Sequence, residues 1–156
     1  MQEFLEFIYN PFLIAGLSAW LIAQVAKLII HTIINKKFDI SRLFGDGGMP
    51  SGHSAMVSSL ATFSAITCGI TSFEFAVTFS LAIIVCHDAT GVRRETGKQA
   101  VVLNEIVEAF NLLSSKKLPE VKLKEFVGHT PIQVAFGIML GVANAFLVNW
   151  ILPPAI

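Results

Sequence analysis

The sequence predicts an all-α fold: a polytopic membrane bundle of about four transmembrane helices plus an amphipathic surface helix. Three observations predict it. Of 156 residues, 54% are apolar and only 14% are charged, against about 25% charged in a typical soluble domain. Mean hydropathy is +0.69. The charges are also segregated: residues 11–35 carry only Lys27, and residues 47–73, 75–87 and 126–156 carry none. A spanning helix needs about 20 mostly apolar residues. These gaps place spans near 12–34, 52–71, 74–91 and 131–152, within a single domain covering 1–156.

The elements follow in order. Phe4, Leu5, Phe7, Ile8 and Tyr9 make residues 1–10 an interfacial stretch, and Pro11 opens the first span. No basic residue precedes the first apolar run, so no cleavable signal peptide is expected. Residues 36–50 hold Lys36, Lys37, Asp39, Arg42 and Asp46, then the turn-prone Gly45-Asp46-Gly47-Gly48. A tight turn at Gly69–Ser72 joins the second and third spans into a hairpin. Residues 92–125 hold seven cations and five acids. Within them, Val102, Ile106, Ala109, Phe110 and Leu113 follow helical spacing, which predicts a helix over 98–113 lying on the membrane or capping the bundle. Lys116, Lys117, Lys122 and Lys124 read as contacts to lipid headgroups. Trp150 suits an interfacial belt, and Trp20 suits packing.

Composition excludes several functions. Eleven Lys and Arg balance eleven Asp and Glu, so no net positive field collects nucleic acid. Cys68 and Cys86 both lie in apolar runs and read as packed thiols, neither a staple nor a metal site.

Polar groups in or beside membrane helices are costly and mark function. They are Lys27, His31, His53, His87, Asp88 and His129. With four alternating spans, the ends of spans one and three and the starts of two and four share one face, so these groups converge there. Lys27, roughly 10 Å inside its span, is within snorkelling reach of that face. In Met49-Pro50-Ser51-Gly52-His53-Ser54, Ser51 is a helix N-cap and Gly52 leaves backbone amides open to an anion. His53 in that first turn suits general-acid work beside a phosphate.

Pro50-Ser51-Gly52-His53 resembles the signature of the type 2 phosphatidic acid phosphatase superfamily, which includes vanadium haloperoxidases. Gly128-His129-Thr130-Pro131-Ile132-Gln133-Val134 with Gly137 is similar to its last motif. Asp88-Ala89-Thr90-Gly91-Val92-Arg93-Arg94-Glu95-Thr96-Gly97-Lys98-Gln99-Ala100, with Val102-Leu103-Asn104, resembles the hallmark of its small divergent branch. The resemblance runs from about Gln24 to Gly141.

It implies an integral-membrane lipid phosphatase acting through a phosphohistidine. His129 matches the nucleophile and His53 the general acid. Lys27 and arginines clamp the phosphate, with backbone amides near Ser51 and Gly52 adding donors. No metal or other cofactor is implied. Three positions depart from the pattern. Ile34 stands where Arg-Pro follows the lysine, with Arg42 as a substitute. Leu123 stands where an arginine precedes the histidine by six residues, with Arg93 or Arg94 as substitutes. Gln133 stands where an aspartate orients the imidazole, and Asp88 is a candidate for that task.

The alternative is a non-catalytic binder or transporter of phospholipid or prenyl phosphate. The resemblance implies six core helices where this chain has about five, so a homodimer is expected to complete the wall. Ten of the eleven cations flank the histidine-bearing ends of the spans, which predicts a cytoplasmic site.

Overall fold

The computed structural model describes residues 1–40, 47–113, 122–124 and 127–153. It is helical: α1 Gln2–Ile8, α2 Pro11–Asn35, α3 Gly52–Cys68, α4 Phe73–Thr90, α5 Val92–Leu113 and α6 Pro131–Ile151. No strand occurs among the described residues. The protein is a polytopic helical bundle with an amphipathic helix at one end.

Local chemistry sets the boundaries. Asn10 caps α2 by accepting from the amide of Phe12 at 2.9 Å, and Pro11 occupies the first helical position. Ser51 caps α3, Ser72 caps α4 and Thr130 caps α6. Each side-chain oxygen takes a donor that the first turn leaves unpaired.

Three helical stretches are long and apolar enough to cross a membrane: Pro11–Asn35, Pro131–Ile151 and Phe73–Leu113, which comprises α4 and α5. The expected second span, 52–71, is shorter than the sequence suggested. It ends at Cys68, where Gly69 turns the chain at φ +88°, so α3 has 17 residues, about 26 Å at 1.5 Å each. It is the central helix, packed against α2, α4 and α6. Its polar side chains Ser54, Ser58, Ser59 and Ser64 are buried among them. The surface helix is longer than expected and starts at Val92, not near Lys98. Gly91, at φ −100° and ψ −99°, bends the chain with no connecting loop. The Gly91 carbonyl already accepts the Glu95 amide at 3.0 Å. The charged run Arg93-Arg94-Glu95 hid that first turn from a reading based on apolar spacing.

The core is made of small residues. Ala19, Ala23 and Ala55 form one cluster, and Ala15, Phe63, Ala145 and Val148 another. Phe12 packs edge-on against Phe63 at 5.2 Å. Close approach through small side chains is how helices associate in lipid, where no hydrophobic force separates them from acyl chains. The tightest seam is α3 against α6. A methyl group at Gly137 would stand 2.5 Å from the Ser51 carbonyl oxygen, and one at Gly141 would overlap the Ala55 carbonyl oxygen. Asn144 ties three helices together: its amide donates to the Ala15 carbonyl at 2.9 Å, Ser18 Oγ at 3.0 Å and Ser59 Oγ at 3.1 Å.

Gly141→Leu tests this seam. Overpacking of this kind costs about 1–3 kcal/mol, so its thermal midpoint in detergent is expected to fall clearly below wild type. Met139→Leu, on the exposed side of the same helix, is expected to leave the midpoint unchanged.

Candidate active site

The site lies where α3 and α6 begin and α4 ends. Ser51 N–H donates to the Gln133 carbonyl at 3.1 Å, joining the starts of α3 and α6. His129 N–H donates to the Ala89 carbonyl at 2.9 Å, joining the approach to α6 to the end of α4. Gly128 makes that junction possible. Its φ is +85°, and a methyl group there would stand 2.5 Å from the Arg94 amide nitrogen, so a side chain is excluded by both conformation and space.

His129 is buried and sits between two cavities. One, of about 360 Å³, is lined by Gly47, Gly48, Arg94, Lys98, Thr130 and Gln133 among others. The other, of about 200 Å³, is lined by His53, Ile84, Val85, Asp88, Ala89 and Arg93 among others. Both share Gly47, Val127, Gly128 and His129. The first carries Arg94 and Lys98, the latter paired with Glu95 at 2.6 Å, and the second has an apolar wall from α4. Lys27 is buried behind Gly48: a methyl group on Gly48 would stand 3.2 Å from its Cγ and Cδ. Its ammonium donates to Gln24 Oε1 at 2.6 Å.

Gln133 sets the state of His129. Its Oε1 accepts the Thr130 amide at 3.0 Å, while Thr130 Oγ1 accepts the Gln133 amide, closing a capping box. The same Oε1 lies 3.3 Å from His129 Nδ1. An oxygen held by a backbone N–H is an acceptor, so Nδ1 is the protonated nitrogen. The neutral imidazole therefore carries its lone pair on Nε2. Burial, the largest cause, holds the His129 pKa below its ordinary 6.5; the Gln133 bond opposes this, the positive charges of Lys27 and His53 add to it, and the Gly48 carbonyl opposes it.

The sequence-predicted residues divide into four groups. His53, Asp88, Arg93, Arg94 and His129 line the two cavities, and Lys27 stands directly behind. Ser51 and Gly52 line neither cavity. Ser51 is fully buried, its amide bound to Gln133 and its hydroxyl to Ser54, and Gly52 packs beneath Trp20 and Gln24. Asp88 does not orient His129; it pairs with Arg93 at 2.6 Å, and Gln133 stands at Nδ1 instead. Arg42 lies outside the described residues, as do Asp46, Lys116 and Lys117. His87 is exposed, and the buried Nδ1 of His31 makes no hydrogen bond to the described residues. Sequence reasoning missed Gln24, Gly48, Lys98 and Thr130. Gln24 and Thr130 had visible signals, three residues before Lys27 and at the cap of an S/T-x-x-Q box.

Fold and site together define a helical membrane protein with a histidine-centred, cation-lined site at one end of its bundle. The chain belongs to the Divergent PAP2 family, which it matches over residues 8–144. It is 42% identical over 147 residues to the uncharacterized membrane protein YuiD of Bacillus subtilis (strain 168), covering 88% of this chain and 93% of that one. No solved structure matches it.

The tautomer argument has a measurable consequence. Protonation blocks Nε2, and the lowered pKa keeps it open at more acidic pH. By NMR titration His129 is expected to have its midpoint below 6.5. Gln133→Glu keeps the capping box but places a carboxylate at Nδ1, which favours the imidazolium. It is expected to move the midpoint upward.

Proposed function

We propose that this protein is a metal-independent lipid phosphate phosphatase using His129 as nucleophile. The observation that carries the reading is the buried His129, with Nδ1 held 3.3 Å from the Gln133 acceptor and the ring set between a cavity bearing Arg94 and Lys98 and one with an apolar wall. In the first step Nε2 attacks phosphorus. A P–N bond forms and the P–O bond to the lipid breaks. The bond pair goes to the departing oxygen, which takes a proton from the His53 imidazolium. In the second step water attacks the phosphohistidine, His53 takes its proton, and His129 is released with inorganic phosphate. Arg94 and Lys98, with Lys27 behind Gly48, stabilise charge on the phosphoryl oxygens, which is most of what such a transition state requires. The Asp88–Arg93 pair holds an arginine at the second cavity.

The lipid tail suits the α4 side, where Ile84, Val85 and Ala89 form the wall. Orthovanadate is expected to inhibit. The site end carries the basic loops, so insertion by the positive-inside rule leaves it cytoplasmic. The homodimer expected from the sequence belongs to the same proposal, with mass measurement in detergent as its test.

One observation favours a second reading. Gln133 is neutral and stabilises an imidazolium less than a carboxylate does, which suits a phosphate-binding protein without turnover. Phosphate release from a panel of lipid phosphates by purified protein separates the two readings.

His129→Ala is expected to abolish turnover. His53→Ala is expected to slow release of alkoxide leaving groups by about 10²–10⁴-fold, the usual worth of general-acid help. Aryl phosphates, whose leaving groups need no proton, are expected to be largely spared. Wild-type rates in His129→Ala would contradict the assignment.

Orientation has its own test. In intact cells, a cysteine at Lys98 is expected to be shielded from an impermeant thiol reagent, and one at Ser72 is expected to react. The reverse pattern places the site outside.

A further inference from the structure

Asn104 has no part in the chemistry described above, yet it belongs to the run that marks the divergent branch. Its side chain makes a two-point contact with the backbone of a residue 19 positions away. Nδ2 donates to the Leu123 carbonyl at 3.0 Å, and Oδ1 accepts the Leu123 amide at 3.0 Å. This engages both backbone groups of one residue, so it fixes position and direction together. Leu123 lies six residues before His129.

The returning chain is held to α5 at a second place. Gly128 approaches the Arg93–Arg94 backbone so closely that no side chain fits. Ten helical residues separate Arg94 from Asn104, a rise of about 15 Å. Five residues separate Leu123 from Gly128, an extended reach of about 17 Å. The two spans match, and Leu123 and Gly128 meet α5 at two points in reverse chain order. Arg94, Gly97 and Val101 line the cavity beside His129, and Asn104 follows Val101 by one helical turn. One helix therefore holds both the arginine and the approach to the histidine.

We propose that Asn104 is a positioning residue: it sets the register of the His129-bearing segment on α5, and so the placement of His129 relative to Arg94. This rests on the phosphatase reading for its kinetic consequence, but not for its structural one. It also accounts for Leu123. That position serves through its backbone, so its side chain need not be an arginine, and the cation comes from α5 instead.

The experiment uses the full-length protein in detergent micelles with a short-chain phosphatidic acid and an aryl phosphate. Asn104→Ala removes both hydrogen bonds, and Asn104→Asp keeps the acceptor while setting a carboxylate against the Leu123 carbonyl. Both are expected to lower kcat by about 10-fold or more, with KM changed by less than about threefold, since a misplacement of 1 Å in an active site costs up to about 100-fold. Faster hydrogen exchange at the Leu123 amide and a moved His129 imidazole resonance are expected in the same variants. A purely structural role would lower the folded fraction and leave kcat per folded molecule unchanged.

If both variants fail to fold, a double variant carries the test. Asn104→Cys with Leu123→Cys, in a Cys68→Ala, Cys86→Ala background, is expected to be slow when reduced and to recover on forming the disulfide. Unchanged kcat in Asn104→Ala with fast Leu123 exchange overturns the proposal, as does a double variant indifferent to oxidation. Wild-type protein that turns over neither substrate, with the exchange and resonance changes still seen in the Asn104 variants, overturns the phosphatase reading and leaves the clamp standing.

Discussion

The close approach of α3 and α6 is the contact on which the rest of this structure depends. Gly137 and Gly141 lie one turn apart on α6 and meet the Ser51 and Ala55 carbonyls one turn apart on α3. No side chain fits between them. Because the helices touch at the backbone, their first turns are close enough for the Ser51 amide to reach the Gln133 carbonyl. That bond brings the start of α3, with His53, beside the start of α6, with Gln133 and its contact to His129. Widening the seam by one methyl group would separate the residues assigned to proton transfer from the residue assigned to attack. Asn144 pins α2 to the same pair deeper in the bundle. It thereby holds Lys27 at the site end.

Polarity is distributed with similar economy. Burial of Lys27 is tolerable because Gln24 accepts from it. Burial of His129 disfavours its protonated form, which suits a nucleophile and would suit a general acid badly. His53, by contrast, is exposed at the rim of the α4-side cavity. The Gln133 bond favours the protonated ring and so works against burial, but as a neutral amide Gln133 orients the imidazole without the charge an aspartate would bring.

Much of this arrangement was legible in the sequence, and the parts that were not share a cause. The four apolar segments and the hairpin turn follow from charge-free stretches, because the cost of burying charge in lipid acts on every residue. Convergence of His53, Asp88 and His129 followed from counting alternating helices. The short extent of α3 was not legible, because its end is set by the backbone turn at Gly69 and not by a change in hydropathy. The first turn of α5 was missed because it is the charged run Arg93-Arg94-Glu95, and the buried positions of the helix begin only at Gly97 and Ala100. Ser51 and Gly52 were assigned to the ligand because a helix start has free amides in isolation. In the fold, α6 and α2 occupy that space. Gln133 read as a loss because a motif position shows only its residue type. Its geometry shows one oxygen serving the helix cap and the histidine together.

The central claim is that His129 attacks through Nε2 because Gln133 holds Nδ1. Rapid acid-free quenching of the protein during turnover of a radiolabelled lipid phosphate, followed by peptide mapping, tests it most directly. The account predicts an acid-labile, base-stable phosphoramidate on His129, attached at Nε2. A label on Nδ1, on another residue, or turnover with no covalent label under conditions where release is rate-limiting would contradict it.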